Sequence, residues 1–329
     1  MRRMFQFGVI LSLSIAMAAG CGKKDQSKGK AAGETQKPPA EAKPPKPQEP
    51  AQPAAIKALS VAAVGFATPE SVLYDAANDR YLVSNINGSP FTVDDNGFIS
   101  HVSPSGDVVS LKWIDGGDDK VTLNAPKGMA IAGGVLYVAD ITAVRMFDLA
   151  TGEPKGEIAI EGASFLNDMV AGKPGPDGAI PLYVSDTGVK EGFVPVGTDA
   201  IYRIDDGKAA AIAKDAALAG PNGLAIDKSG LWVVSFGSGE LYQLDSDGQK
   251  AAVVELPKGQ LDGIVAMPGG DFLISSWAAA AIYRGPASGP FATVIDGVTA
   301  PADIGYDTKR GRVLIPRFND NAIDIYEVK

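Results

Sequence analysis

One short phrase recurs six times along this chain, and its middle residue changes almost every time. The phrase is an apolar or proline residue, a variable residue and a small residue, followed by a strand-like run. It reads Pro69-Glu70-Ser71, Pro126-Lys127-Gly128, Leu166-Asn167-Asp168, Pro221-Asn222-Gly223, Leu261-Asp262-Gly263 and Pro301-Ala302-Asp303. Successive variable positions lie 57, 40, 55, 40 and 40 residues apart. A repeat near 40 residues that holds several short β runs marks a propeller blade. If each phrase opens the innermost strand of its blade, the variable side chains converge on one central channel. The ring then reads Glu70, Lys127, Asn167, Asn222, Asp262 and Ala302, and it is mostly polar.

The intervening sequence supports an all-β chain. Runs such as Arg80-Tyr81-Leu82-Val83-Ser84 and Leu231-Trp232-Val233-Val234-Ser235 are rich in β-branched and aromatic residues and bounded by Gly, Asp, Asn or Pro. In register, each repeat holds four strands, and six repeats predict a six-bladed propeller over residues 57–329. The last repeat holds only three strands, so the missing one is predicted to come from Ala58 to Phe66. Pairing the two ends in one blade closes the ring and hides its open edges. The two long spacings are assigned to insertions near Ile86–Gly97 and Gly172–Asp199.

The start of the chain reads as an address. Arg2 and Arg3 precede a short apolar run from Phe5 to Ala16, and Ala18-Ala19-Gly20-Cys21 closes it. Such a run is too short to span a bilayer as a stable helix. The segment looks like a bacterial lipoprotein signal over residues 1–20, with lipid placed on Cys21, the one cysteine in the sequence. Gly22 is not the aspartate that favours inner-membrane retention in lipoproteins. The expected location is therefore the bacterial cell envelope, with an outer-membrane anchor favoured. Residues 21–56 read as a Pro/Ala/Lys-rich tether, unable to bury enough apolar surface to fold. Extended at ~3 Å per residue, it reaches on the order of 100 Å.

Charge narrows the partners. Residues 1–21 carry +2, and residues 22–55 carry +3 from seven Lys against Asp25, Glu34, Glu41 and Glu49. The net charge of −9 therefore leaves −14 for residues 56–329. A domain that acidic repels nucleic acid, and no nucleic-acid partner is expected. Catalytic options also shrink. The single histidine, His101, falls in the third predicted strand of the first blade, away from the ring. A Ser-His-Asp triad, a Cys-His pair and a His-bound zinc site are thereby excluded at the channel. The residues closing the second strands, Asn85, Asp140, Asp186, Ser235, Ser276 and Arg317, form a second polar set at the same mouth, part of it ordinary turn chemistry. Trp277 follows Ser276 and reads either as a pocket wall or as blade packing.

What remains is a cluster of oxygen donors. Glu70, Asp262, Asn222 and Asn167 bring two carboxylates and two amide carbonyls from four blades. Hard divalent cations prefer such oxygens, and a cation held there polarises an ester or lactone carbonyl. The alternative is that Asn-Gly and Asp-Gly are simply turn dipeptides.

On these residues the chain resembles the gluconolactonase/regucalcin (SMP-30-like) family of six-bladed propellers over most of residues 60–329. The resemblance implies a divalent cation, Ca²⁺ favoured with Mg²⁺, Mn²⁺ or Zn²⁺ as alternatives, held by Glu70, Asn222 and Asp262. It implies Asn167 at the substrate and Asp262 as general base. Three residues depart from the family pattern. Glu70 stands in Pro-Glu-Ser, Asp262 follows leucine rather than proline, and Lys127 enters the ring beside Glu70. Lys127 either pairs with Glu70 in place of a cation or binds an anionic substrate, with Arg317 as a second substrate contact. The reading is a lipid-anchored, metal-dependent hydrolase of a lactone or small ester. The competing one is a non-catalytic, NHL-like propeller that binds a protein or envelope glycan. A propeller frame alone does not choose between them.

Overall fold

The computed structural model describes residues 55–328. The expected leader, the lipidation expected at Cys21 and the expected tether up to residue 54 lie outside the described residues. The described residues form six four-stranded antiparallel sheets and one short hairpin. Blade 1 comprises Pro69–Asp75, Arg80–Asn85, Phe98–Val102 and Val108–Asp115. Blade 2 comprises Pro126–Ala132, Val135–Asp140, Ala143–Asp148 and Pro154–Ala159. Blade 3 uses Leu166–Ala171, Leu182–Asp186, Ala200–Asp205 and Lys208–Lys214. Blade 4 uses Pro221–Ile226, Leu231–Ser235, Glu240–Leu244 and Lys250–Glu255. Blade 5 uses Leu261–Ala266, Asp271–Ser276, Ala281–Pro286 and Ala292–Ile295. Blade 6 combines Gly305–Asp307, Arg312–Arg317 and Ala322–Glu327 with the N-terminal strand Ile56–Ala62.

The fold is thus the expected six-bladed β-propeller, closed by pairing the two ends of the domain. Ile56 lies opposite Glu327 and Ala62 opposite Ala322. The closing strand ends at Ala62, earlier than the sequence expectation of Phe66, because Gly65 turns the chain at φ +104° toward blade 1. Lys57 and Ser60 both bond the buried Asp324, at 2.8 and 2.5 Å, and so fasten the closing strand side chain by side chain.

Apolar side chains fill the spaces between successive blades. Leu82, Ile99 and Ile114 of blade 1 pack on Met129, Leu136 and Val138 of blade 2, for example. This burial supplies the main drive for ring formation.

The recurrent phrase is a β-bulge. In blade 1 Pro69 faces Asn85, but Val72 faces Val83. Three steps along the inner strand match two along its partner, so one residue is extra. The same slip occurs in blades 2 to 5, between Pro126 and Met129, Leu166 and Met169, Pro221 and Leu224, and Leu261 and Ile264. The small third residue has a steric cause. A Cβ on Gly223 would lie 2.2 Å from the Asp262 carbonyl oxygen, and one on Gly263 would lie 2.3 Å from the Ile304 nitrogen. Blade 6 differs: its phrase precedes the short inner strand, with Pro301 bridged to Arg317 and Asp303 bridged to Ser71 of blade 1.

The second expected insertion divides. Residues 172–181 connect the first and second strands of blade 3 on the face opposite the phrases. Residues 187–199 connect its second and third strands on the phrase face and carry the hairpin Val189–Lys190 with Val194–Pro195.

Candidate functional site

All six variable side chains are buried at the channel centre, from 0 % exposed for Ala302 to 6 % for Asn167. In blades 1 to 5 the bulge places them there, and in blades 1, 3 and 5 a serine on the second strand fixes it. Ser84 and Ser275 accept the backbone N–H of Ser71 and Gly263, at 2.8 and 2.7 Å, and Ser185 accepts that of Asp168 at 3.0 Å. Ser185 and Ser275 also donate across to the next blade, to the carbonyls of Asn222 and Ala302.

Among the described residues, seven buried side-chain polar atoms lack a hydrogen-bond partner, and three of them belong to this ring. They are Glu70 Oε2, Asn222 Oδ1 and Asp262 Oδ1, one each from the three residues that the family resemblance assigns to a cation. Leaving such oxygens buried and unpaired is costly. The donor set, two carboxylates and an amide carbonyl, suits a hard divalent cation. No cluster of three or more His, Cys, Asp or Glu side chains poised for a metal occurs among the described residues.

The remaining ring members are already engaged. The Asn167 side-chain amide donates to Thr187 Oγ1 at 2.9 Å, and Thr187 in turn donates to the Pro221 carbonyl. Trp277 Nε1 donates to Asp262 Oδ2 at 2.7 Å and holds that carboxylate in place. Lys127 forms no ion pair with Glu70. Its ammonium donates to the Ala125 carbonyl at 3.1 Å and lies 4.3 Å from the centre of the Phe165 ring, a cation–π contact. Arg317 pairs instead with Asp320 and, at 3.8 Å, with Asp324 of its own blade. The structure therefore brings Glu70, Lys127, Asn167, Asn222 and Asp262 together and directs Arg317 into blade 6.

Two carboxylates missed from sequence lie just below the ring. Asp168 Oδ2 accepts the Leu224 N–H at 2.6 Å, and Asp303 Oδ2 accepts the Ser71 hydroxyl at 2.5 Å. Both occupy the third position of the phrase, where Gly and Ser alternate with Asp. Their departure from Gly was the available signal.

Burial dominates the electrostatics. It pushes Asp262 up to about 8, reinforced by the Asp303 charge and offset by hydrogen bonds from Trp277 and Asn222. Burial raises Asp303 to about 7, against hydrogen bonds from Ser71 and Asp168. Glu70 is raised by burial and then by Asp262 and Asp303, with Lys127 opposing. Burial lowers Lys127 to about 8 against the pull of Asp140, Glu70 and Asp186. Burial and mutual repulsion thus oppose simultaneous ionisation of these acids, with Lys127 acting the other way on Glu70.

The second polar set serves the frame. Asn85, Asp140 and Asp186 accept backbone N–H groups two residues before their phrases, from Ala67, Asn124 and Ser164. Ser276 donates to the carbonyl at the same position, Gly259, at 2.8 Å, and Ser235 donates to that of Ala219. His101 sits in the third strand of blade 1 opposite Leu82, away from the ring. From the opposite face a cavity of about 400 Å³ reaches Ser71, Asp168 and Asp303 along the inner strands. A larger cavity of about 930 Å³, around residues 172–181, holds none of the ring residues.

The geometry defines a six-bladed propeller with an oxygen-rich centre. No family model matches the sequence, and no curated protein matches it. Solved structures do share the fold. A gluconolactonase from Xanthomonas campestris superposes with TM-score 0.60 at 17 % identity, covering 85 % of this chain and 99 % of that one. A streptogramin B lyase gives 0.57 at 13 %, covering 84 % and 97 %. A chain of a nidogen/laminin complex gives 0.52 at 17 %, covering 67 % and 76 %. At such identities the likeness is one of fold.

Proposed function

We propose that this protein is a divalent-cation-dependent hydrolase of a lactone or small ester, held at a bacterial envelope membrane through Cys21, with the outer membrane favoured. The observation that carries the reading is the set of three unpaired buried oxygens, Glu70 Oε2, Asn222 Oδ1 and Asp262 Oδ1. The likeness in fold to a gluconolactonase supports it. Glu70, Asn222 and Asp262 would hold the cation, which supplies polarisation of the substrate carbonyl and lowers the cost of ionising the carboxyls around it.

The chain's own residues do the rest. Asp262, steadied by Trp277, takes the proton of the attacking water as the water oxygen bonds to the acyl carbon. The acyl carbon–oxygen bond then breaks, and the proton passes to the leaving oxygen, which gives a carboxylic acid and an alcohol. A pKa of about 8 without the cation falls beside a dication, so that the carboxylate form is available at neutral pH. Asn167, with its amide held by Thr187, orients substrate. Lys127 lends positive potential from the blade 2 side and needs no direct pairing.

The test is metal content after chelator dialysis and reloading with Ca²⁺, Mg²⁺, Mn²⁺ or Zn²⁺, read by elemental analysis and thermal shift beside a lactone screen. About one equivalent of cation, lost in both Glu70→Gln and Asp262→Asn, is the expected result. A wild-type protein that takes up no cation sinks this reading. A second reading, a binding scaffold for a protein or envelope glycan, rests on Val93, Phe193, Val194 and Val196, which are 75, 60, 48 and 40 % exposed on the two phrase-face insertions. It expects Glu70→Gln and Asp262→Asn to leave binding intact.

A further inference from the structure

The residue after each second strand forms a collar directly outside the ring: Ile86, Ile141, Thr187, Phe236, Trp277 and Phe318. Main-chain bonds place these positions equivalently. The N–H groups of Ile86, Thr187, Phe236, Trp277 and Phe318 donate to Thr68, Phe165, Gly220, Gln260 and Ala300, in each case the residue just before a phrase. From blade 4 round to blade 2, neighbouring collar side chains touch. Phe236 and Trp277 lie 6.0 Å apart and Trp277 and Phe318 5.2 Å apart, while Phe318 packs with Ile86 and Ile141. Behind Thr187 the wall continues through Phe165, 4.9 Å from Phe91 and 6.1 Å from Phe193 of the two insertions.

The collar's polar atoms are already committed. Thr187 Oγ1 accepts from Asn167 and donates to Pro221, and Trp277 Nε1 donates to Asp262. A polyhydroxylated ring entering here would strip its hydroxyls of water and find no partner, which opposes binding. A flat apolar ring would bury its faces against half-buried aromatic side chains, which favours it. The collar also shares two hydrogen bonds with the ring below, through Thr187–Asn167 and Trp277–Asp262, so a group seated in it stands over the carboxylates.

We propose that the collar is the specificity subsite of this centre, and that the substrate is an ester or lactone carrying an aromatic or comparably flat apolar group rather than a sugar lactone. The proposal rests on the hydrolase reading for its chemistry and on the collar alone for its selectivity.

The test uses the cation-loaded full chain and two variants at the mouth, Phe318→Ser and Phe236→Ser, each checked for an unchanged melting profile. Dihydrocoumarin and glucono-δ-lactone are compared by kcat/KM. Binding of 3,4-dihydro-2-quinolinone, the non-hydrolysed lactam counterpart of dihydrocoumarin, is measured by calorimetry. The expected result is a preference of about 10-fold or more for the aromatic lactone, with KM for it raised about 10-fold in at least one variant while kcat changes less. Equal or better turnover of gluconolactone overturns the collar proposal and leaves the hydrolase reading standing. If neither lactone is hydrolysed but the lactam binds, and binding weakens in the variants, the hydrolase reading fails and the collar stands as an apolar-ring site. No lactam binding by the wild type overturns the collar.

Discussion

Gly223 and Gly263 show how single positions set the geometry of the centre. Neither needs a positive φ, so each is required by space, with backbone of the next blade about where a Cβ would stand. Backbone cannot rotate aside as a side chain can. Gly223→Ala and Gly263→Ala are each expected to cost about 1–3 kcal/mol by overpacking, read as a lower Tm. Gly269→Ala, with nothing within 4 Å of its Cβ, serves as the control. Variants as stable as the control would overturn the close-approach account. Trp277 acts on chemistry instead. Its indole N–H favours ionised Asp262, so Trp277→Phe is expected to raise the Asp262 pKa further above about 8. Cation affinity at pH 7 should then fall, and its pH dependence should move upward. An unmoved pH profile would count against the bond.

At the scale of elements, ring closure depends on Ile56–Ala62, which covers the edge of Ala322–Glu327 and neutralises buried Asp324 through Lys57. Removing residues 55–62 strips that edge and leaves Asp324 with Arg317 at 3.8 Å as its remaining cation. The truncated chain is expected to lose cooperative unfolding or to aggregate, as light scattering and thermal melts would show. A truncated monomer with the full chain's Tm would mean that closure lies elsewhere. Blade number, closure and the ring of variable residues were legible in the sequence because the bulge repeats with fixed chemistry: an apolar anchor, one inward side chain, one small residue. The oxygen donors Glu70, Asn167, Asn222 and Asp262 followed from that register, and the family resemblance singled out Glu70, Asn222 and Asp262 for a cation. Asp168 and Asp303 did not, because they stand where the pattern asks only for smallness. Of the collar, Trp277 already read as a pocket wall or as packing, whereas an apolar residue at a strand end otherwise reads as core. Arg317 looked like its counterparts at the second-strand ends, but acids of its own blade, Asp320 and Asp324, draw it away.

For the molecule as a whole, the buried acids make stability depend on pH and on cations together. Glu70, Asp168, Asp262 and Asp303 are all raised from ordinary carboxyl values, to about 8 for Asp262 and about 7 for Asp303 against 3.8. Between pH 3.8 and those values the folded protein holds protons that the unfolded chain releases. The stability linked to them is full below about pH 4 and is lost as pH rises through about 7 and then about 8. Lys127, lowered from 10.5 to about 8, acts with the opposite sign, but only above that window. Surface carboxylates lowered by their partners, such as Asp148 and Glu240, lose their contribution only in acid below it. The chelator-treated protein is therefore expected to be most stable near pH 5, with Tm lower by ~5 °C or more at pH 8. Ca²⁺ should flatten that decline, because a dication at Glu70, Asn222 and Asp262 rewards the ionised forms that otherwise repel one another. Asp262→Asn and Asp303→Asn should flatten it without Ca²⁺. A cation-free Tm that climbs from pH 5 to 8 would show that these carboxyls ionise freely within the fold. In that case the unpaired oxygens at the channel centre would need no countercharge.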